Sequence, residues 1–319
     1  MLVIYANDYH LHVPKYEIYD GKKTPHAEQP DRIARIIESA RTLDLDVREF
    51  NDPVPFEIVS KLHEKSYIDY LRNKCSEIRS EEQLMPSVFI KDTYTPLMRH
   101  TYEASLKSAN LAVQGSKELK TGKQKVIYAL CRPPGHHAEK DAMSGYCYFN
   151  NAALAANELS MGEKKVAIFD IDYHHGNGTQ KLFYDRNDVF YVSIHAEPEH
   201  AFPYSSGFTD EKGVNKGKGF NLNLPMPPET TPALYISNLE KALDSIKSFN
   251  PDYLVVSLGY DTYEDDPIGG LGIDEDSYKE ISRVISGRGY PTLLIQEGGY
   301  NIEKLGVLSK NFMQSFTIT

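Results

Sequence analysis

Five short apolar runs in this 319-residue chain each lead, within about six residues, into carboxylate, imidazole or phenol side chains. Residues 126–130 lead into Cys131-Arg132-Pro133-Pro134-Gly135-His136-His137, and residues 166–169 into Asp170-Ile171-Asp172-Tyr173-His174-His175-Gly176. Residues 189–194 end at His195, 253–258 lead into Gly259-Tyr260-Asp261, and 292–295 into Gln296-Glu297-Gly298-Gly299-Tyr300. With residues 2–5, these runs are continuous rather than alternating in polarity, as strands buried on both faces of a parallel sheet are. Helical patterns separate them, at 32–41 (Asp31 as N-cap), 56–71, 102–119, 150–159, 232–249 and 277–286. The alternation predicts an α/β fold, three layers α/β/α around a mostly parallel sheet, in one domain over residues 1–319. Residues 7–30, 74–96 and 195–220 read as long loops, which in a compact domain are usually functional.

In open α/β sheets, sites form beyond the carboxyl ends of the strands, so five consecutive candidates point at one crevice. Asp172 and His174 stand at i and i+2 just past a strand, which places both side chains on one side. With Asp261 from another strand they make three N/O ligands, the count of a catalytic zinc with a position left open. One Asp-x-His alone is more often a loop hydrogen-bond pair; its strand-end register with Asp261, the paired histidines and Tyr300 carries the metal reading. His136 and His137 follow a stiff Pro-Pro-Gly turn, and an imidazole there can take a proton from water and hand it to a leaving amine. Tyr300, after two glycines, can bring a phenol donor close to a developing oxyanion, although a lone Tyr is more often a packing residue. His63 falls in a helical pattern and reads as structural. His10, His12, His26, His100 and His200 fall in loops or at the surface without ligand spacing.

A formal net charge of −10 argues against nucleic acid, which calls for a basic face. No apolar run approaches the roughly 20 residues that span a bilayer. Three cysteines without a CxxC, and an N-terminus without an export signal, fit a reduced cytoplasmic setting.

In order and spacing, these motifs resemble the histone-deacetylase superfamily, of arginase–deacetylase fold. The resemblance rests on the segments ending in His136-His137 and running through Asp170–Gly178, with Gly145-Tyr146-Cys147-Tyr148-Phe149-Asn150-Asn151, Gly259-Tyr260-Asp261-Thr262, Asp266-Pro267 and Glu297-Gly298-Gly299-Tyr300. Lys15-Tyr16-Glu17-Ile18-Tyr19-Asp20-Gly21, Thr179-Gln180 and Ala201-Phe202-Pro203-Tyr204 look most like the bacterial acetylpolyamine amidohydrolases. The resemblance implies one Zn²⁺ per subunit on Asp172, His174 and Asp261. It makes His137 the general base and acid, and His136 its electrostatic partner, oriented by Asp170. Tyr300 becomes the oxyanion donor, and Tyr146 and Phe202 line the substrate tunnel. A structural K⁺ would sit among Asp170, Asp172, His174, Ser193 and Ile194, and a homodimer would form through the first loop around Glu17.

Two departures stand out. Asn177 replaces the Asp that pairs with the second histidine in many members, which lowers the expected pKa of His137. The acidic residues that greet a distal ammonium have no clear counterpart: Asp92 is the substitute, and Ile268 after Asp266-Pro267 is apolar. The expected activity is zinc-dependent deacetylation of small acetylated amines such as acetylpolyamines. The alternatives are a protein lysine deacetylase and an arginase-like ureohydrolase. The latter calls for an Asp-x-Asp on the later strand, where this chain has Tyr263 two residues after Asp261.

Overall fold

The computed structural model describes residues 1–51 and 55–316. Its strands are β1 (Leu2–Tyr5), β2 (Tyr16–Tyr19), β3 (Lys22–Pro25), β4 (Asp46–Glu49), β5 (Val126–Ala129), β6 (Val166–Asp170), β7 (Val189–Ala196), β8 (Asn221–Met226), β9 (Tyr253–Leu258) and β10 (Thr292–Gln296). Eight of them form a sheet in the order β4-β1-β5-β10-β9-β6-β7-β8, every neighbouring pair parallel. Strands β2 and β3 make a separate antiparallel hairpin.

Alternate residues of each strand feed two apolar layers. Val3, Tyr128, Phe169 and Val256 pack with α1 (Asp31–Thr42), α6 (Pro232–Phe249), α7 (Ser277–Ser286) and α8 (Ile302–Gln314). Leu2, Ile4, Ile127, Ile168 and Val255 pack with α3 (Thr101–Lys120), α4 (Asn151–Leu159) and Phe183 of α5 (Asn177–Phe183). The expected three layers are thus present. The five motif-bearing strands, β5, β10, β9, β6 and β7, are adjacent at the centre of the sheet, so their carboxyl ends open on one place.

Several elements differ from the sequence reading. The helix expected over 56–71 is broken into a 3-10 segment, Phe56–Lys61, and α2, Lys65–Glu77. Between them His63 is buried as a bridge: Nδ1 donates to the Glu139 carbonyl at 2.9 Å, and Nε2 accepts from the Asn150 amide at 3.0 Å. Burial pulls its pKa down to about 4, which keeps it neutral. Asp31 is the first helical residue of α1 rather than its cap; Pro30 takes the cap position without a side-chain bond. Strand β8 lacks a continuous apolar run because Asn221 and Asn223 face inward and donate to Gln180 Oε1 at 2.9 and 2.8 Å. The edge strand β4 is mostly exposed, and its sequence, DVRE, shows no apolar run. Helix α8 was not expected from the sequence; it starts at an Asn301 cap whose side chain accepts from the Lys304 amide, and Gly306 interrupts its apolar pattern. Among the described residues no helix is long and apolar enough to cross a membrane, and the three cysteines are free and buried.

Candidate functional site

Asp172 and His174 lie past β6 and Asp261 past β9, their ligand atoms all within 4.8 Å of one another. His174 Nδ1 is 3.2 Å from Asp172 Oδ1 and 3.1 Å from Asp261 Oδ2. The other oxygens are held by backbone: the Gly298 amide donates to Asp172 Oδ2 at 2.8 Å, and the Tyr173 amide to Asp261 Oδ1 at 3.1 Å. Gly259 and Gly298 wall this cradle; a Cβ at either would stand 2.3 or 2.2 Å from a ligand carboxylate oxygen. Burial and the Asp172 charge push the Asp261 carboxyl up to about 7. Asp172 is held well below the usual carboxylate range, its burial outweighed by His136 and His174. His174 is raised to about 9 because, despite burial, both carboxylates favour its charged form. Three buried groups that compete for a proton in this way are suited to a cation.

The two tandem histidines sit in opposite electrostatic surroundings. His136 Nδ1 donates to Asp170 Oδ2 at 3.1 Å, and Tyr191 donates to the same oxygen at 3.1 Å. Burial works against its charge, but Asp172, Asp170 and Glu297 outweigh it and raise His136 to about 10. His137 is the reverse: burial, then the charges of His136 and His174, hold it well below its ordinary value, against the hydrogen bond it makes to Asn177. Its Nδ1 lies 2.7 Å from Asn177 Oδ1. Gly145 approaches this ring so closely that a Cβ there would meet Cδ2 at 2.1 Å.

His137, His174 and Tyr300 line a cavity of about 600 Å³ with Tyr146, Phe202, Ile268, Glu17, His26, Tyr94 and Tyr173, and with Tyr19 and Tyr204 exposed at its rim. Tyr146 stands at φ 66°, a left-handed backbone uncommon for a non-glycine residue, with its ring 5.7 Å from that of Tyr300. Tyr300 is positioned from behind. Its amide donates to Asp266 Oδ2 at 2.7 Å, and the buried Arg32 guanidinium lies 4.7 Å from its ring centre and donates to the Gly299 carbonyl at 2.6 Å. Glu297 braces the histidine turn, accepting from the Gly135 and His136 amides at 2.6 and 3.2 Å.

Among the candidates, Asp170, His136, His137, Asp172, His174, Asp261 and Tyr300 come together at these strand ends. Ser193 lies beside Asp170 across β6 and β7, with Ile194 next along β7. Asp92 does not belong to this group. Its Oδ1 accepts from the Tyr94 and Thr95 amides and its Oδ2 from the Thr95 hydroxyl and the Gly145 amide, so the carboxylate is used up organising two loops. The acidic side chain that does line the cavity is Glu17 on β2, which the sequence reading placed at a subunit contact. Glu17 is buried, and its Oε2 has no hydrogen-bond partner. Burial pushes its carboxyl up, opposed by hydrogen bonds from the Tyr146 hydroxyl and the Ala27 amide. His12 and His26, expected in loops or at the surface, are buried, and His26 faces the cavity. Arg32 and Glu139 had no motif to mark them; Glu17 lay in a segment that resemblance tied to a subunit contact, not to the cavity.

Residues 26–316 match the model of the histone deacetylase domain. The chain is 37% identical to acetylpolyamine amidohydrolase 2 of Pseudomonas aeruginosa over 99% of this chain and 98% of that protein. It is 34% identical to the acetylpolyamine amidohydrolase of Mycoplana ramosa, over 98% and 99%. A crystal structure of acetylpolyamine aminohydrolase from Burkholderia pseudomallei superposes with a TM-score of 0.93 at 34% identity, covering 99% of this chain and 98% of that one. The structure of the HDA15 HD domain gives 0.88 at 29% identity, over 99% and 91%. With the fold, the strand-end site and these likenesses in agreement, the chain is a hydrolase that belongs to the histone deacetylase family.

Proposed function

We infer that this deacetylase is zinc-dependent and acts on small acetylated amines, with acetylpolyamines as its favoured substrates. Two carboxylates and an imidazole, converging with their outer oxygens fixed by backbone amides, match the donor set of a catalytic zinc. Zn²⁺ held by Asp172, His174 and Asp261 would polarise an amide carbonyl and acidify a water. The chain's own residues do the rest. His137, kept neutral by its surroundings, accepts a proton from the attacking water and returns it to the leaving amine nitrogen. His136, an imidazolium fixed by Asp170, supplies positive charge beside it. Tyr300, whose phenol burial keeps protonated, donates to the carbonyl oxygen as that oxygen gains charge. Tyr300→Phe is expected to lower kcat by roughly 10²–10³-fold, with KM nearly unchanged, in steady-state assays.

The preference for a cationic tail is carried by Glu17. Glu17 is the acidic side chain that lines the cavity, beside Tyr19, Tyr94, Tyr146 and Tyr173, and a carboxylate there suits an ammonium group that brings both charge and hydrogen-bond donors. A homodimer through the β2–β3 hairpin would place its exposed Tyr19 near the contact and narrow the rim. The deciding experiment is a substrate panel on the zinc-loaded protein, with oligomeric state measured alongside. Acetylputrescine and acetylspermidine should exceed an acetyl-lysine peptide in kcat/KM. Glu17→Gln should cost the acetylpolyamines about 10–100-fold, the worth of a hydrogen bond to a charged group, and leave a neutral-tailed acetylated amine unaffected. A clear preference for the peptide overturns the substrate assignment.

A further inference from the structure

Behind the tandem histidines lies a chain of polar contacts that the roles above do not use. Asn177, at the start of α5, turns Oδ1 to His137 and donates through Nδ2 to Glu139 Oε1 at 3.3 Å. Glu139 comes from the loop after β5 and is gripped by two ammonium groups, Lys91 at 2.8 Å and Lys181 one helical turn along from Asn177. All four residues border a second cavity of about 330 Å³, and Glu139 does not line the substrate cavity. Burial alone would raise the Glu139 carboxyl, but Lys181 and Lys91 outweigh it and hold it below the ordinary glutamate value.

An amide side chain has one accepting and one donating end of nearly the same shape, so its partners decide which way it points. An ionised carboxylate only accepts, so Glu139 claims the Asn177 NH₂. That leaves the carbonyl oxygen for His137, which must then carry its proton on Nδ1, and Nε2 is free to take a proton. We propose that Glu139 is a positioning residue which, through Asn177, locks His137 in the Nδ1–H tautomer that a general base requires. This rests on His137 as the base of the deacetylation.

The test uses Glu139→Gln, alone and combined with Asn177→Asp, in the full chain. Long-range ¹H–¹⁵N NMR reads the His137 ring without substrate, and kinetics are measured in parallel. Glutamine can present either a donor or an acceptor, so E139Q frees Asn177 to flip. Its His137 should show Nε2–H signal, and kcat should fall roughly 10–100-fold with KM unchanged, the usual reach of a residue behind the reacting groups. In the double variant the carboxylate at 177 accepts on its own account, so Nδ1–H and most of kcat should return. E139Q that keeps Nδ1–H with kcat within about twofold of wild type overturns the proposal, as does a double variant no better than E139Q. If E139Q does not fold, Glu139→Ala takes its place, since it too leaves the Asn177 NH₂ unclaimed: a pure Nδ1–H tautomer at His137 there overturns the proposal. The tautomer is read without turnover, so a failure of the deacetylase reading is seen separately.

Discussion

His137→Ala is expected to lower kcat by roughly 10²–10⁴-fold, the span of a positioned general acid–base group, with zinc content and KM nearly unchanged. The selectivity of that loss follows from where the ring sits. No hydrogen bond of Asp172, His174 or Asp261 goes to His137, so the ligand set survives its removal. The sign of the pH dependence follows from its surroundings. A base acts in its deprotonated form, and burial with two neighbouring imidazoles lowers the pKa of His137. It therefore stays ready as pH falls through the ordinary imidazole value, and the acid limb of its contribution lies below that value. The raised pKa of its neighbour makes His136 a poor base at neutral pH: at about 10 it is already protonated there. Near-wild-type turnover in His137→Ala, checked by steady-state kinetics with thermal unfolding as a folding control, would sink this assignment.

How much of this was legible before the structure depended on the distance between a residue and its signal. Asp172 and His174 could be placed because an i, i+2 pair past a buried strand has only one facing. Asp261 and Tyr300 could be placed because each follows its own apolar run. Glu17 could not, since it reaches the cavity through a hairpin of two four-residue strands that packs against a loop: the Ile18 amide donates to the Thr93 carbonyl. Asp92 looked eligible for the opposite reason: the sequence shows an acidic residue in a loop but not the four donors that saturate it. His63 broke a helix that its periodicity supported, because one imidazole joined two backbone segments far away in sequence. Glu139 sits two residues past a motif, and its meaning depends on an amide contributed by another helix. Local pattern and facing are written in the sequence; contacts that depend on which loops meet are not.

Stripping the metal, or substituting Asp261→Ala, is expected to abolish measurable turnover, the largest effect foreseen, and stoichiometric Zn²⁺ should restore only the stripped wild type. A second three-residue group, His136, Cys147 and Glu297, has donors equally close, but it competes poorly for an ion. His136 is protonated, and burial holds the Cys147 thiol far above its ordinary pKa, so its thiolate is costly. Elemental analysis should therefore find one transition metal per chain, and two would favour the bridged chemistry of a ureohydrolase. Protons compete for the same three ligands. His174 must lose its proton to bind, and in the metal-free protein its pKa is about 9; Asp261 is raised as well. As pH rises toward 9 fewer protons must be displaced, so apparent affinity should rise by up to about tenfold per pH unit for each proton released. Acidification reverses this. Because the ion binds the folded chain, zinc at about a thousand times Kd should add roughly 4 kcal/mol of stability and raise Tm, and at one fixed zinc concentration the gain should be larger at pH 8 than at pH 6. Competition titration with a chromophoric chelator across that range measures the slope, and thermal unfolding of stripped and reloaded protein measures the gain. A pH-independent affinity, or stripped protein that turns over at full rate, would remove Asp172, His174 and Asp261 from the role given to them.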